Sequence, residues 1–144
     1  MSLNVELLEQ SFQAVAPRGE DLVETFYRNL FNDYPQVKPM FESVPMADQK
    51  KKLLASLKLV VENLRKPEVL TEALQQLGAR HVEYGTQEKH YPAVGQTLLK
   101  SLAEIAGDLW TPELNTAWAE AYGEISNIMI TGALARPEVA QASN

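Results

Sequence analysis

"LTEALQQLGARHVEYG", Leu70 to Gly85, decides how the chain is read. Leu70, Leu74, Leu77 and His81 recur at intervals of four, three and four, which stacks them on one face of an α-helix. Gly85 stands where such a helix stops. The face is apolar except for its last member, so an imidazole shares a buried stripe with three leucines. It is either a hydrogen-bonded core residue or a ligand, and the pattern alone leaves both open.

The same periodicity runs outward in both directions. Val5, Leu8, Phe12 and Val15 form one stripe; after the bend "APRG", Leu22, Val23, Phe26, Tyr27 and Leu30 form the next. "NDYPQVKPMFESVPMAD" carries three prolines and leaves room for one short helix at a corner. From Asp48 a stronger helix is predicted, with Gln49, Leu53, Leu57, Val60 and Leu64 inward and Lys50, Lys51 and Lys52 mostly on a solvated face. "RKP" is expected to end it, with a shorter helix leading to His81. Downstream, Val94, Leu98, Leu99, Leu102 and Ile105 mark a helix with His90 near its start. Thr111 then caps a last helix with Pro112 in first place and Leu114, Trp118, Tyr122, Ile125 and Met129 inward. Sustained alternation is missing, so the expected fold is all-α, six to seven helices. One domain over residues 1–135 and a weakly ordered tail over 136–144 are predicted.

Composition narrows the function. The 144 residues are 45% hydrophobic and 22% charged, as in a soluble globular domain. A net charge of −6 disfavours nucleic acid and anionic membrane surfaces as partners. No apolar window approaches the ~20 residues that cross a bilayer. The start "MSLNVELLEQ" does not read as a secretory signal, so a cytoplasmic location is expected. Zero cysteines rule out thiolate metal sites, thiol nucleophiles and cofactors attached through sulfur. With two histidines and no G-x-G-x-x-G, phosphate loop or G-x-S-x-G elbow, a multi-ligand metal site and the common nucleotide and hydrolase motifs fall away. A lone histidine suits a cofactor that brings its other ligands, as haem does. Phe26, Tyr27, Phe31, Phe41, Tyr84, Tyr91, Trp110, Trp118 and Tyr122 are read first as core aromatics on helical stripes.

The order "FYRNLFNDYPQVKPMF", "DQKKKLLASL", "LGARHVEYG", "HYPAVGQTLLKSL", "AWAEAYGEI" resembles a bacterial single-domain globin, and in particular the haem domain of flavohaemoglobins, over about residues 3 to 134. The resemblance implies the globin fold around non-covalent haem b, with His81 as the proximal iron ligand and Phe41 packed on the haem face. It implies Tyr27 and Gln49 as distal hydrogen-bond donors to a bound gas, with Leu53 one turn beyond Gln49. Tyr91 and Val94 match the proximal side, and Arg80 stands where a basic residue meets a propionate. Each has a plainer reading: Tyr27 as a buried tyrosine on a backbone carbonyl, Gln49 swung to solvent, Arg80 a solvated charge.

Oxygen, nitric oxide and carbon monoxide are the implied ligands. Flavohaemoglobins also carry a glutamate in the last helix that strengthens the proximal histidine; Ala133 stands there, which argues against peroxidase-like chemistry. Flavohaemoglobins continue into a flavin and nicotinamide reductase, whereas this sequence stops at Asn144. The expectation is reversible oxygen binding, with conversion of nitric oxide to nitrate where a separate reductase supplies electrons. A haem-based gas or redox sensor acting through a partner protein is the alternative; a haem-free helical module or a bilin carrier is disfavoured by the retained His81, Phe41 and Tyr27 and the absence of cysteine.

Overall fold

The computed structural model describes residues 4–83 and 88–134, the side chains of Val82, Glu83, Ala133 and Leu134 excepted. The expectations placed on Tyr84, Gly85 and the tail 136–144 lie outside the described residues. Six α-helices follow in order: α1 (Val5–Val15), α2 (Gly19–Asp33), α3 (Met46–Glu62), α4 (Pro67–Glu83), α5 (His90–Ala106) and α6 (Pro112–Leu134). Three 3₁₀ segments, Ala16–Arg18, Pro35–Phe41 and Gly107–Leu109, join them. There is no strand among the described residues.

Local chemistry sets most boundaries. The Asn4 side chain accepts from the amide of Leu7 at 3.2 Å and so starts α1. Thr111 does the same for Leu114 at 3.1 Å, with Pro112 opening α6. Gly107 ends α5 at φ 58°, a backbone shape that favours glycine.

Three details depart from the sequence reading. "APR" is a 3₁₀ turn rather than a plain bend, since Pro17 fits an early helical position. α3 begins at Met46, because Pro45 occupies the extended N-cap. α4 is as long as α3, 17 residues each, because Pro67 opens α4 where it had been read only as the end of α3.

Leu8, Leu22, Leu74 and Leu102 form the least accessible part of the core, and each comes from a different helix. α4 and α6 make the most intimate helix pair. A Cβ on Gly78 of α4 would collide with the backbone carbonyl of Met129, and one on Gly132 of α6 with that of Gln75. The two backbones therefore touch, which only residues without side chains allow. α2 packs across α5 and α3, and its buried Asn29 donates to the Ser101 hydroxyl at 3.2 Å and the Glu104 carboxylate at 3.0 Å. Trp118 similarly donates from its indole nitrogen to the Ser11 hydroxyl at 2.9 Å. Among the described residues no buried side-chain nitrogen or oxygen lacks a partner.

Candidate functional site

Helices α2 to α6 and the proline corner surround a cavity of about 240 Å³ in an otherwise close-packed interior. Tyr27, Phe41, Gln49, Leu53, His81, Tyr91 and Val94, each singled out from the sequence, all line it. Arg80 does not: its side chain is exposed and reaches the site only through its charge, which acts on His81.

His81 sits in the last turn of α4. Its Nδ1 lies 2.8 Å from the carbonyl oxygen of Leu77, one turn back. A carbonyl only accepts, so Nδ1 carries the hydrogen and, in the neutral ring, Nε2 carries the lone pair. Burial holds the ring's proton affinity below that of an ordinary histidine, the Leu77 bond opposes this, and the Arg80 charge adds to it. Neutral imidazole with its lone pair on Nε2 is the form that binds a metal.

Tyr27 belongs to the buried face of α2 and is 5% exposed. Its ring meets Phe26 edge-on with centroids 5.0 Å apart and Phe41 at 5.7 Å, and Phe31 closes the group against Phe41 at 5.4 Å. Such edge-to-face contacts fix the direction of the phenol. Burial pushes the Tyr27 hydroxyl above its usual pKa, so it remains a protonated donor, while a hydrogen-bonding contact with the Gln49 side chain pulls the other way. Gln49 and Tyr27 line the same cavity, from α3 and α2. Leu53, Leu57 and Val60 continue the α3 lining with apolar carbon.

On the other side Tyr91 is buried at the first turn of α5, and burial raises its pKa too. The Tyr122 hydroxyl of α6 donates to the Tyr91 carbonyl at 2.7 Å. The Tyr122 ring lies so near α5 that a Cβ on Gly95 would come within 2.6 Å of it. Tyr122 was read only as a core aromatic; it is also a wall of the cavity and anchors its neighbour. The side chain of Ala133 lies outside the described residues.

Two basic lining residues, among others, carry no site role in the sequence reading. Lys52 stands three residues after Gln49 and reaches the mouth of the cavity with His90, the first residue of α5. The signal was the i, i+3 spacing, masked by reading the whole lysine triplet as a solvated face. Among the described residues no three His, Asp or Glu side chains converge, so His81 or His90 meets any metal here without a multi-residue cage. A second cleft, about 370 Å³ and more open, lies between α1, the end of α5 and the start of α6. Leu102, Trp110 and Trp118 line it without a histidine, so it offers no comparable chemistry.

The arrangement suits a flat, largely apolar group carrying its own metal ligands. An imidazole stands on the α4 side, a phenol and an amide on the α2 and α3 sides, hydrocarbon around them, and Lys52 and His90 complete the lining. No helix among the described residues is long and apolar enough to cross a membrane.

The globin family profile matches residues 24–129. Flavohemoproteins of Deinococcus radiodurans and Rhizobium meliloti are 32% and 29% identical over 126 residues, 86% of this chain. The chain spans about a third of the length of these relatives, 31% of each. A bacterial globin from Campylobacter jejuni superposes with a TM-score of 0.79 at 30% identity, covering 90% of this chain and 93% of that one. An engineered carbene transferase from Rhodothermus marinus, whose parent is described as a nitric oxide dioxygenase, gives 0.84 at 27% identity, with 95% of each chain covered. The match extends over the helices that carry His81, Tyr27 and Gln49, and the chain belongs to the globin family.

Proposed function

We propose that this globin binds haem in the α2–α6 cavity with His81 as the iron ligand and holds diatomic gases reversibly between Tyr27, Gln49 and Leu53. The globin family and the flavohemoprotein relatives imply haem binding. One observation carries the assignment of residues: His81, its Nδ1 tied to Leu77, shares a single apolar cavity with the Tyr27 phenol and the Gln49 amide.

Haem b bound here supplies a redox-active iron with a position for a small gas. The protein supplies the rest. The Leu77 carbonyl orients the imidazole and fixes its tautomer. Tyr27 and Gln49 donate hydrogen bonds to the partial negative charge of a polarised gas, while Phe41 and Leu53 exclude water from it. Tyr91 and Val94 wall the proximal side, and Lys52 and Arg80 supply charge for the propionates.

With an external electron donor the same site supports conversion of nitric oxide to nitrate: nitric oxide, dioxygen and one electron together give one nitrate ion. The flavohemoprotein relatives and the Rhodothermus marinus parent support this extension. The primary experiment is an absorption spectrum of the purified protein, ferric and then reduced under carbon monoxide, beside His81→Ala. A Soret band with a carbonyl shift, lost or altered in the variant, is expected. No Soret band after adding haem, or an unchanged one in His81→Ala, overturns the assignment.

A further inference from the structure

The cleft between α1, the end of α5 and the start of α6 shares no lining residue with the His81 cavity. Its volume of about 370 Å³ falls within the ~300–1,000 Å³ usual for small-molecule sites. Val15, Leu102, Leu114 and Trp118 give it a buried apolar wall. Toward solvent come half-buried Trp110 and Leu109, which is 63% exposed. Both tryptophans of the chain therefore face one cleft, with a large apolar side chain left in water beside them.

The hydrogen-bond donors on this lining are largely engaged within the protein. The Trp118 indole nitrogen donates to the Ser11 hydroxyl, which donates onward to the Leu8 carbonyl at 3.1 Å. The Trp110 nitrogen donates to Asn115 at 3.4 Å, and the Gln10 amide to the Glu6 carboxylate at 3.2 Å. The positive end of α6 is already answered in part, since the Thr111 hydroxyl accepts from the Leu114 amide. What the cleft retains is an acceptor: the Glu113 carboxylate makes no hydrogen bond or ion pair among the described residues. No Lys, Arg or His lines the cleft among the described residues. Arg18, which reaches the Ile105 carbonyl of α5 at 3.2 Å, is paired with Asp21. With a net charge of −6 on the whole chain, local and overall electrostatics both favour a cation that brings its own donors.

We infer that this cleft binds a small aromatic amine in its cationic form, the ring among Trp110, Trp118 and Leu109 and the ammonium on Glu113. Indole faces attract a cation as well as an aromatic ring, and the ring would cover the exposed Leu109. An aromatic carboxylate of the same size meets Glu113 with like charge and finds few donors. Because the two linings are separate, the assignment stands apart from the haem reading.

The probe is phenethylammonium, compared with the neutral phenethyl alcohol and the anionic hydrocinnamate. Each is titrated into the ¹⁵N-labelled full chain, kept reduced under carbon monoxide so that an amine cannot take a position on iron. The two indole N–H signals of the protein both report this cleft. Phenethylammonium should shift both, with hydrocinnamate much weaker. Glu113→Gln should weaken the amine about fivefold at low salt and less at high salt, the scale of an exposed ion pair, and leave the alcohol unchanged. Ala14→Phe places a bulky side chain at an exposed position of the lining and should abolish binding of amine and alcohol alike, while the amide signals of α2–α4 stay as in the parent. Hydrocinnamate binding as tightly as the amine, equal amine affinity in parent and Glu113→Gln, or shifts near His81 and Tyr91 in place of the indoles would each overturn the assignment. So would indole shifts on concentrating the protein alone, which would make the cleft a contact between two copies of the chain.

Discussion

Gly78 of α4 and Gly132 of α6 each stand where the other helix's backbone would strike a Cβ, Gly78 against the Met129 carbonyl and Gly132 against that of Gln75. The crossing they permit fixes the helix that carries His81. In an open helix interior, glycine to alanine stabilises by up to ~1 kcal/mol. Here the sign reverses. Gly78→Ala should destabilise by about 1–3 kcal/mol, because the colliding atoms are backbone and cannot rotate away. Urea unfolding of the two proteins checks it, and equal or higher stability in the variant contradicts the backbone contact.

The phenol of Tyr27 is held by a cluster of edge-on rings and kept protonated by burial. Tyr27→Phe removes the donor and leaves the ring packing. Oxygen dissociation followed by stopped flow should accelerate by roughly tenfold or more, corresponding to about 1.5 kcal/mol for a hydrogen bond to a polarised ligand. Carbon monoxide, less polarised, should respond more weakly. An unchanged oxygen rate removes Tyr27 from ligand stabilisation.

Tyr122, 31 residues downstream, donates from α6 to the Tyr91 carbonyl. Tyr122→Phe preserves the ring that fits against Gly95 and deletes that bond, at a cost of about 1 kcal/mol or somewhat more. The α5 end of the cavity should loosen, which faster exchange of amides near Tyr91, measured by hydrogen exchange, would register. Uniform exchange across α5 in parent and variant argues against an anchoring role.

Lys52 reaches the mouth from α3, where carboxylates of a bound cofactor would meet it. For Lys52→Glu, transfer of haem to excess apomyoglobin should be roughly fivefold faster, the scale of ~1 kcal/mol for a partly exposed charge pair. Raising the salt concentration should shrink the difference. A salt-independent difference would point to packing by the lysine stem rather than charge.

The helical order, the corner and most of the cavity are legible in the sequence because each depends on near neighbours. Leu70, Leu74, Leu77 and His81 declare their face by spacing, and Thr111–Pro112 declares a helix start by cap chemistry. The crossing of Gly78 and Gly132 is silent: it joins residues far apart and has no side chain to leave an apolar mark. Pro67 was ambiguous for another reason, since proline ends one helix and opens the next with equal ease. Lys52 escaped because a run of three lysines reads as one surface, although a helix turns its members in different directions. Arg80 shows the converse. His81 lines the cavity, yet Arg80, one position before it, is rotated about 100° and faces solvent.

The glycine contact also gives α4 a fulcrum. His81 lies three residues beyond Gly78, about 4.5 Å along the axis, whereas Pro67 lies eleven residues before it, about 16 Å away. A swing of roughly 5° about the crossing would carry Pro67 by about 1.4 Å but His81 by only about 0.4 Å, for an α-helical rise of 1.5 Å per residue. Because the imidazole is tied to Leu77 of the same helix, it travels on the short arm of this lever. Thermal rocking at the far end of α4 therefore reaches the histidine reduced about fourfold, and a ligand held by its ring would be shielded from the motion of its own support.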